Sequence, residues 1–101
     1  MKVILSVNKV PIRLTEERWF HITEEHSEMA GYYYDTLEAI SSPDAIYAGK
    51  EGASIALKTL STGKSIVVVY REISSEDGFV ITAFITNKKN QFERRVKLWP
   101  L

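Results

Sequence analysis

The chain has no cysteine, which removes a disulfide framework, a thiol nucleophile and any zinc site built on thiolates. The same absence fits a reducing compartment, and the expected location is the cytoplasm. Long apolar runs are missing too. Nothing approaches the roughly 20 residues of a membrane span, so no membrane partner is expected. The opening Met1-Lys2-Val3-Ile4-Leu5-Ser6-Val7 meets Asn8, Lys9, Pro11 and Arg13 too soon to read as a signal peptide. Neither sign of charge is in excess: 13 Lys and Arg balance 13 Asp and Glu, so no global field draws the protein onto nucleic acid. Repeats, linkers and low-complexity segments are absent as well, and one domain over residues 1–101 is expected.

What is present is an ordinary globular composition, 45% hydrophobic and 26% charged, long enough at 101 residues to bury a core without metal or disulfide staples. The charge is segregated along the chain. Lys88, Lys89, Arg94, Arg95 and Lys97 crowd the C-terminal end, and Glu16, Glu17, Glu24, Glu25 and Glu28 crowd the first helical region.

The pattern predicts an α+β fold with two short N-terminal helices packed on an antiparallel, mostly meander sheet of four to five strands. Lys2 to Val10 reads as an edge strand or extended arm ahead of Pro11. Thr15 is a fitting N-cap, with Glu16 and Glu17 in the first turn and Trp19 and Ile22 opening an apolar stripe that runs to about His26. Ser27 then caps a second helix, with Met29, Tyr33, Leu37 and Ile40 on one face and Pro43 stopping it near Ser41 or Ser42. Beyond it the period becomes strand-like over Asp44 to Ala48, Ser54 to Leu60, Ser65 to Ile73 and Phe79 to Thr86. Hairpin chemistry at Gly49 to Gly52, Ser61 to Lys64 and Ser75 to Gly78 separates these strands. Ile66 to Tyr70 is apolar on both faces, which suits a central strand. Phe92, Val96, Leu98 and Trp99 predict a last strand or tail on the sheet edge.

His21 and His26 are the only histidines, and five residues between them is not the i, i+4 spacing that puts two ligands on one helical face. At about 100° per residue His26 falls between Trp19 and Ile22, while His21 lies with Arg18 and Glu25 on the polar flank. The ordinary reading makes His26 a helix-end donor and His21 a solvated or core-edge side chain. Arg71 ends the central strand beside Glu72. Thr82 and Thr86 share a strand face with Val80 and Phe84, opposite Phe79, Ile81, Ala83 and Ile85. A two-residue turn at Glu76 and Asp77 would pair Arg71 with Thr82, whereas a bulged turn would put Glu72 there. In the first register a guanidinium and two hydroxyls make a phosphate-sized polar site. In the second, Arg71 is an edge cation paired with Glu72 or another acid. Lys50 within Gly49 to Gly52 reads as a hairpin tip rather than a phosphate loop. Tyr32-Tyr33-Tyr34 offers base-stacking aromatics, although Tyr33 reads as core.

Trp19-Phe20-His21-Ile22, Glu25-His26-Ser27-Glu28, Ser42-Pro43-Asp44, Val68-Val69-Tyr70-Arg71-Glu72 and Val80-Ile81-Thr82-Ala83-Phe84 together resemble the phage and bacterial small domains grouped with the barnase, EndoU, colicin and RelE-like nuclease fold. The resemblance spans roughly Thr15 to Thr86. Members usually carry proline directly after the second histidine, where this chain has Ser27. The resemblance implies two helices against a four-stranded antiparallel sheet whose concave face holds the active site. It implies RNA cleavage without metal or other cofactor, often by a toxin held in check by an antitoxin or immunity protein. Carried over by position, the implied catalytic residues are His21, His26, Arg71, Thr82 and Thr86. A histidine would transfer the proton, Arg71 would stabilise the phosphorane, and the threonines would hold phosphate. The alternative is a non-catalytic interaction module that binds a protein partner, or pairs as a homodimer, through its sheet face or basic C-terminal segment.

Overall fold

The computed structural model describes residues 1–101 as one seven-stranded mixed sheet with helices on one face. In chain order the elements are strands β1 (Lys2–Leu5) and β2 (Pro11–Leu14), helices α1 (Glu16–Glu25) and α2 (Tyr33–Ser41), then strands β3 (Ala45–Ala48), β4 (Ser54–Thr59), β5 (Ser65–Ser74), β6 (Asp77–Thr86) and β7 (Lys97–Trp99). Their order across the sheet is β1-β2-β6-β5-β4-β3-β7. The expected antiparallel sheet of four to five strands under two N-terminal helices is corrected: the sheet has seven strands and is mixed. A hairpin precedes the helices, and its second strand joins β6 in parallel.

Pro11 is the reason the hairpin is hard to see in the sequence. It does not end a strand but opens one, at the first position, where its missing N–H removes no needed bond, and it faces Leu5 across the pair. Between the two strands the chain turns tightly with Lys9 at φ 65°, the Ser6 N–H donating to the Val10 carbonyl at 2.9 Å.

β6 joins the hairpin to the rest of the sheet through Gly78, which is buried and lies opposite Ile12 of β2. A Cβ there would sit 2.6 Å from both the Arg71 carbonyl oxygen and Ile12 Cδ1. The glycine therefore serves a close approach of two strands, not the turn bulge that the sequence pattern indicated. The turn lies one step earlier: Ser74 pairs with Asp77 around Ser75 and Glu76, and the Glu76 N–H donates to Ser74 Oγ at 3.1 Å. Arg13 of β2 pins this turn through a two-pronged bond to Asp77, with distances of 2.8 and 3.1 Å. That guanidinium holds the Asp77 carboxyl below its usual range.

Two register shifts in the β5–β6 pair decide which residues share a face. Val69 pairs with Thr82 but Tyr70 with Val80, so Ile81 is an extra residue in β6. Glu72 pairs with Gly78 but Ser74 with Asp77, so Ile73 is an extra residue in β5. Each bulge reverses the alternation. Gly78 and Val80 are buried before the Ile81 bulge and Ala83 after it. Val80 therefore lies opposite to the threonines, not with them.

The helix face of the sheet holds the main core, where Ile12, Leu14, Ile66, Val68, Tyr70, Val80 and Ala83 meet Ile22, Met29, Leu37 and Ile40. Thr15 caps α1, its hydroxyl accepting from the Arg18 N–H at 3.0 Å. The expected second helix from Ser27 is shorter than the stripe implied. Ser27–Gly31 forms a 3₁₀ turn and α2 begins only at Tyr33, because Gly31 is a poor helix former and Tyr32, at φ −118° and ψ 29°, breaks the run. Trp19 of α1 and Tyr33 of α2 meet edge to face at 5.1 Å. On the opposite face Phe92, from a 3₁₀ turn at Lys89–Phe92, covers Ile55, Leu57 and Val67 as a second, smaller core. No helix is long and apolar enough to cross a membrane.

Gly78→Ala should destabilise the fold by about 1–3 kcal/mol in urea unfolding, the cost of overpacking a closed site. Trimming the flexible neighbour as well, with Ile12→Val, should recover only part of it, since the Arg71 carbonyl is backbone. Tyr70 gives a second test. Burial is the main reason its phenol is pushed up to about 12, with Glu72 adding to the rise and Ser54 opposing it. A raised folded-state value means that its stabilisation is complete below the unfolded value of 10.0 and is lost as pH climbs towards 12. Tyr70→Phe should flatten that alkaline loss in denaturation series run across this window.

Candidate functional site

The sheet face away from the helices is where the expected residues meet or fail to meet. On it β5 presents Ser65, Val67, Val69 and Arg71, and β6 presents Thr86, Phe84, Thr82 and Phe79 directly opposite them. Arg71 thus reaches the threonine face by neither register read from sequence. It pairs with Phe79 and stands one row from Thr82, about 7 Å along the strand, while Thr86 lies three rows off, about 20 Å. One phosphate cannot touch both Arg71 and Thr86.

Arg71 has local duties. One of its terminal nitrogens donates to the Glu51 carbonyl in the β3–β4 connection, and its Nε is buried with no partner. Glu51 and Gly52 there adopt left-handed backbone, φ 54° and 80°. Glu72 does not pair with Arg71. It accepts from Ser6 Oγ at 2.5 Å and from Asn8 Nδ2 at 3.0 Å, tying the β1–β2 turn to the central strand.

The two histidines part company. His21 stays on the outer surface of α1 between Glu17 and Glu24, each carboxylate 3.8 Å from a ring nitrogen. His26 follows the helix. Its backbone N–H closes on the Ile22 carbonyl at 2.8 Å, its φ of −134° leaves the helical range, and its ring turns to β6. There it stacks at a tilt on Phe84, 5.7 Å between centroids, with Glu28 3.8 Å from its Nδ1 and about a third of the side chain exposed. Thr82 and Thr86 flank Phe84 at two-residue steps on the same face, each about 7 Å along the strand. The structure therefore brings His26, Thr82 and Thr86 into one neighbourhood, sets Arg71 at its far end and leaves His21 out.

Beside this row opens the largest groove on the surface, about 650 Å³, lined by Glu28, Tyr32, Thr62, Lys64, Thr86 and Lys88 among others. Ser65 pairs with Thr86, so Lys64 and Lys88 rise from adjacent strand ends on the two sides of the same opening. The Thr86 hydroxyl accepts from the Lys88 N–H at 3.0 Å and so also shapes the turn that carries this lysine. Sequence reading passed over Lys64, placed in a hairpin tip, and treated Lys88 only as part of a basic run. What makes them neighbours is the β5–β6 register, which no local pattern displays. Glu28 had no signal beyond its acidic company.

No group of three His, Cys, Asp or Glu side chains is placed to hold a metal ion. No protein-family model, curated protein or solved structure matches the chain.

Glu72→Ala should release the Ser6 to Val10 turn and lower stability by about 1.5–3 kcal/mol, the range for hydrogen bonds to a charged acceptor. Hydrogen exchange should quicken at the Lys9 and Val10 amides while the β4–β5 amides keep their protection.

Proposed function

We propose that this chain is a metal-independent endoribonuclease domain that cleaves RNA by attack of a ribose 2′-hydroxyl on the adjoining phosphate. The observation that carries the reading is the position of His26: an imidazole at the edge of the face that bears Thr82 and Thr86, beside a groove rimmed by Lys64 and Lys88. Imidazole is suited to this chemistry because its protonation changes near neutral pH.

In the proposed reaction His26 takes the 2′-hydroxyl proton as the 2′-oxygen bonds to phosphorus. The bond from phosphorus to the 5′-oxygen then breaks, and the imidazolium returns the proton to that oxygen. Glu28, beside Nδ1, stabilises the imidazolium in between. Lys64 and Lys88 face the charge that grows on the phosphorane, and Thr82 and Thr86 offer hydroxyls to the flanking phosphates. Arg71 then acts at a distance from the scissile bond, on a neighbouring nucleotide. The absence of cysteine fits action in the cytoplasm, where an RNase of this kind requires a protein inhibitor.

One observation favours the second reading, a non-catalytic interaction module. Arg71 stands two rows, about 13 Å, from the Phe84 row and is already engaged by the Glu51 carbonyl. The two separate in an assay of total cellular RNA with purified protein in EDTA. Wild type should cleave, and His26→Ala should slow cleavage by about 10²–10⁴-fold, the usual worth of a general base. His21→Ala should cleave like wild type. A folded wild-type protein that leaves every RNA intact would move the conclusion to the interaction module.

A further inference from the structure

The largest groove does not end at Lys88. That residue also lines a second cleft, of about 550 Å³, with Asn90, Gln91 and Arg94, so the two clefts adjoin at a single lysine. We infer that the two clefts together make a channel that binds single-stranded RNA, with Lys64, Lys88 and Arg94 each neutralising one backbone phosphate; the inference rests on the ribonuclease reading above and names the form of its substrate.

Three features point to it. First, the cations that line the two clefts are unpaired: none of Lys64, Lys88 and Arg94 is in an ion pair. In a protein of zero net charge, three unpaired cations along two adjoining clefts carry a local positive potential there. Second, the segment is fixed. Phe92 is buried in the smaller core, so Lys88 and Arg94 leave the two ends of an anchored turn and are not part of a loose tail. Third, the walls suit nucleotides. Asn90 and Gln91 supply amides that can both donate and accept, and Tyr32 offers a half-buried ring for a base to stack on. Glu28 is the carboxylate in the first groove, next to His26, and no acid lines the second.

The size of the channel selects single strands. A volume of about 650 Å³ takes one nucleotide with its base turned inward. A duplex keeps its bases stacked inside and presents phosphates on a rigid cylinder, so it can touch the rim but cannot enter.

The test uses the full chain carrying His26→Ala, which keeps RNA intact, and reads anisotropy of a labelled single-stranded RNA of about twelve nucleotides. The matching single-stranded DNA and duplex RNA are run beside it. Three phosphate contacts on a single strand give a slope of log K on log salt near −2, so affinity should fall roughly sixteenfold between about 50 and 200 mM salt. Replacing Lys64, Lys88 and Arg94 together by alanine should bring the slope close to zero. The triple change of Lys2, Arg18 and Lys50 removes the same charge elsewhere and should leave it in place. Duplex RNA bound as tightly as the single strand, DNA bound as tightly as RNA, or an undiminished slope in the first triple variant would each overturn the inference. The two levels fail separately. Binding through the channel with no cleavage by wild type would sink the catalytic reading alone, and cleavage by wild type with unchanged binding by the triple variant would sink the channel alone.

Discussion

The short parallel contact between β2 and β6 carries more of this architecture than its two paired positions indicate. It joins the first fourteen residues to the sheet and sets the point from which α1 departs. Because β2 runs parallel to β6, the chain leaves Leu14 heading the same way as β6, and α1 travels along that strand towards its far end. His26 at the end of α1 consequently arrives at Phe84. An antiparallel β2 would have delivered α1 to the other end of the strand, near the Ser75 turn. The contact is tight because residue 78 has no side chain, and Ile12 takes the space that a Cβ would need. A backbone requirement at one glycine thus fixes the position of an imidazole some fifty residues earlier in the chain.

The second constraint is the pair of bulges at Ile73 and Ile81. An unbroken β6 would keep Thr82 and Thr86 on the side of Val80, under the helices, with Phe79 and Ala83 on the other. The extra residue at Ile81 lets Val80 and Ala83 share the core and turns both threonines to the open face. Core packing and exposure of the site residues are satisfied together by one inserted residue. This is the use that bulges commonly have near functional surfaces.

The same two features explain what the sequence made legible. Helix α1 was readable because every signal for it is local: Thr15 as cap, acids in the first turn, Trp19 and Ile22 at the right spacing. The strands β3 to β6 followed from composition and turn residues for the same reason. The N-terminal hairpin was hidden because Pro11 acts as a breaker in most settings, and only its tertiary place as a first strand residue makes it harmless. Gly78 looked like a turn glycine because the turn is only a few residues away. Parity along β6 was misread at Val80 because a bulge at an isoleucine leaves no mark in an apolar run. His26 and the threonines were named, with His21 and Arg71, by the resemblance and not by any local signal. Their meeting place, and the company of Lys64 and Lys88, depended on long-range register.

Electrostatics adds a last step. Net charge is zero, which on its own argues against a nucleic-acid partner, but affinity for a phosphate chain is set by the charges within a Debye length of the bound strand, about 8–10 Å at ordinary ionic strength. The acids of α1 are spread over its outer face, where Glu17 and Glu24 engage His21. Lys64, Lys88 and Arg94 instead line the two clefts beside the ends of β5 and β6 and the anchored turn. Under the proposed reading, such a distribution would draw a strand to these clefts and repel it from the helix surface. Glu28 stands at the boundary between the two regions. It is the acid closest to the imidazole, 3.8 Å from its Nδ1.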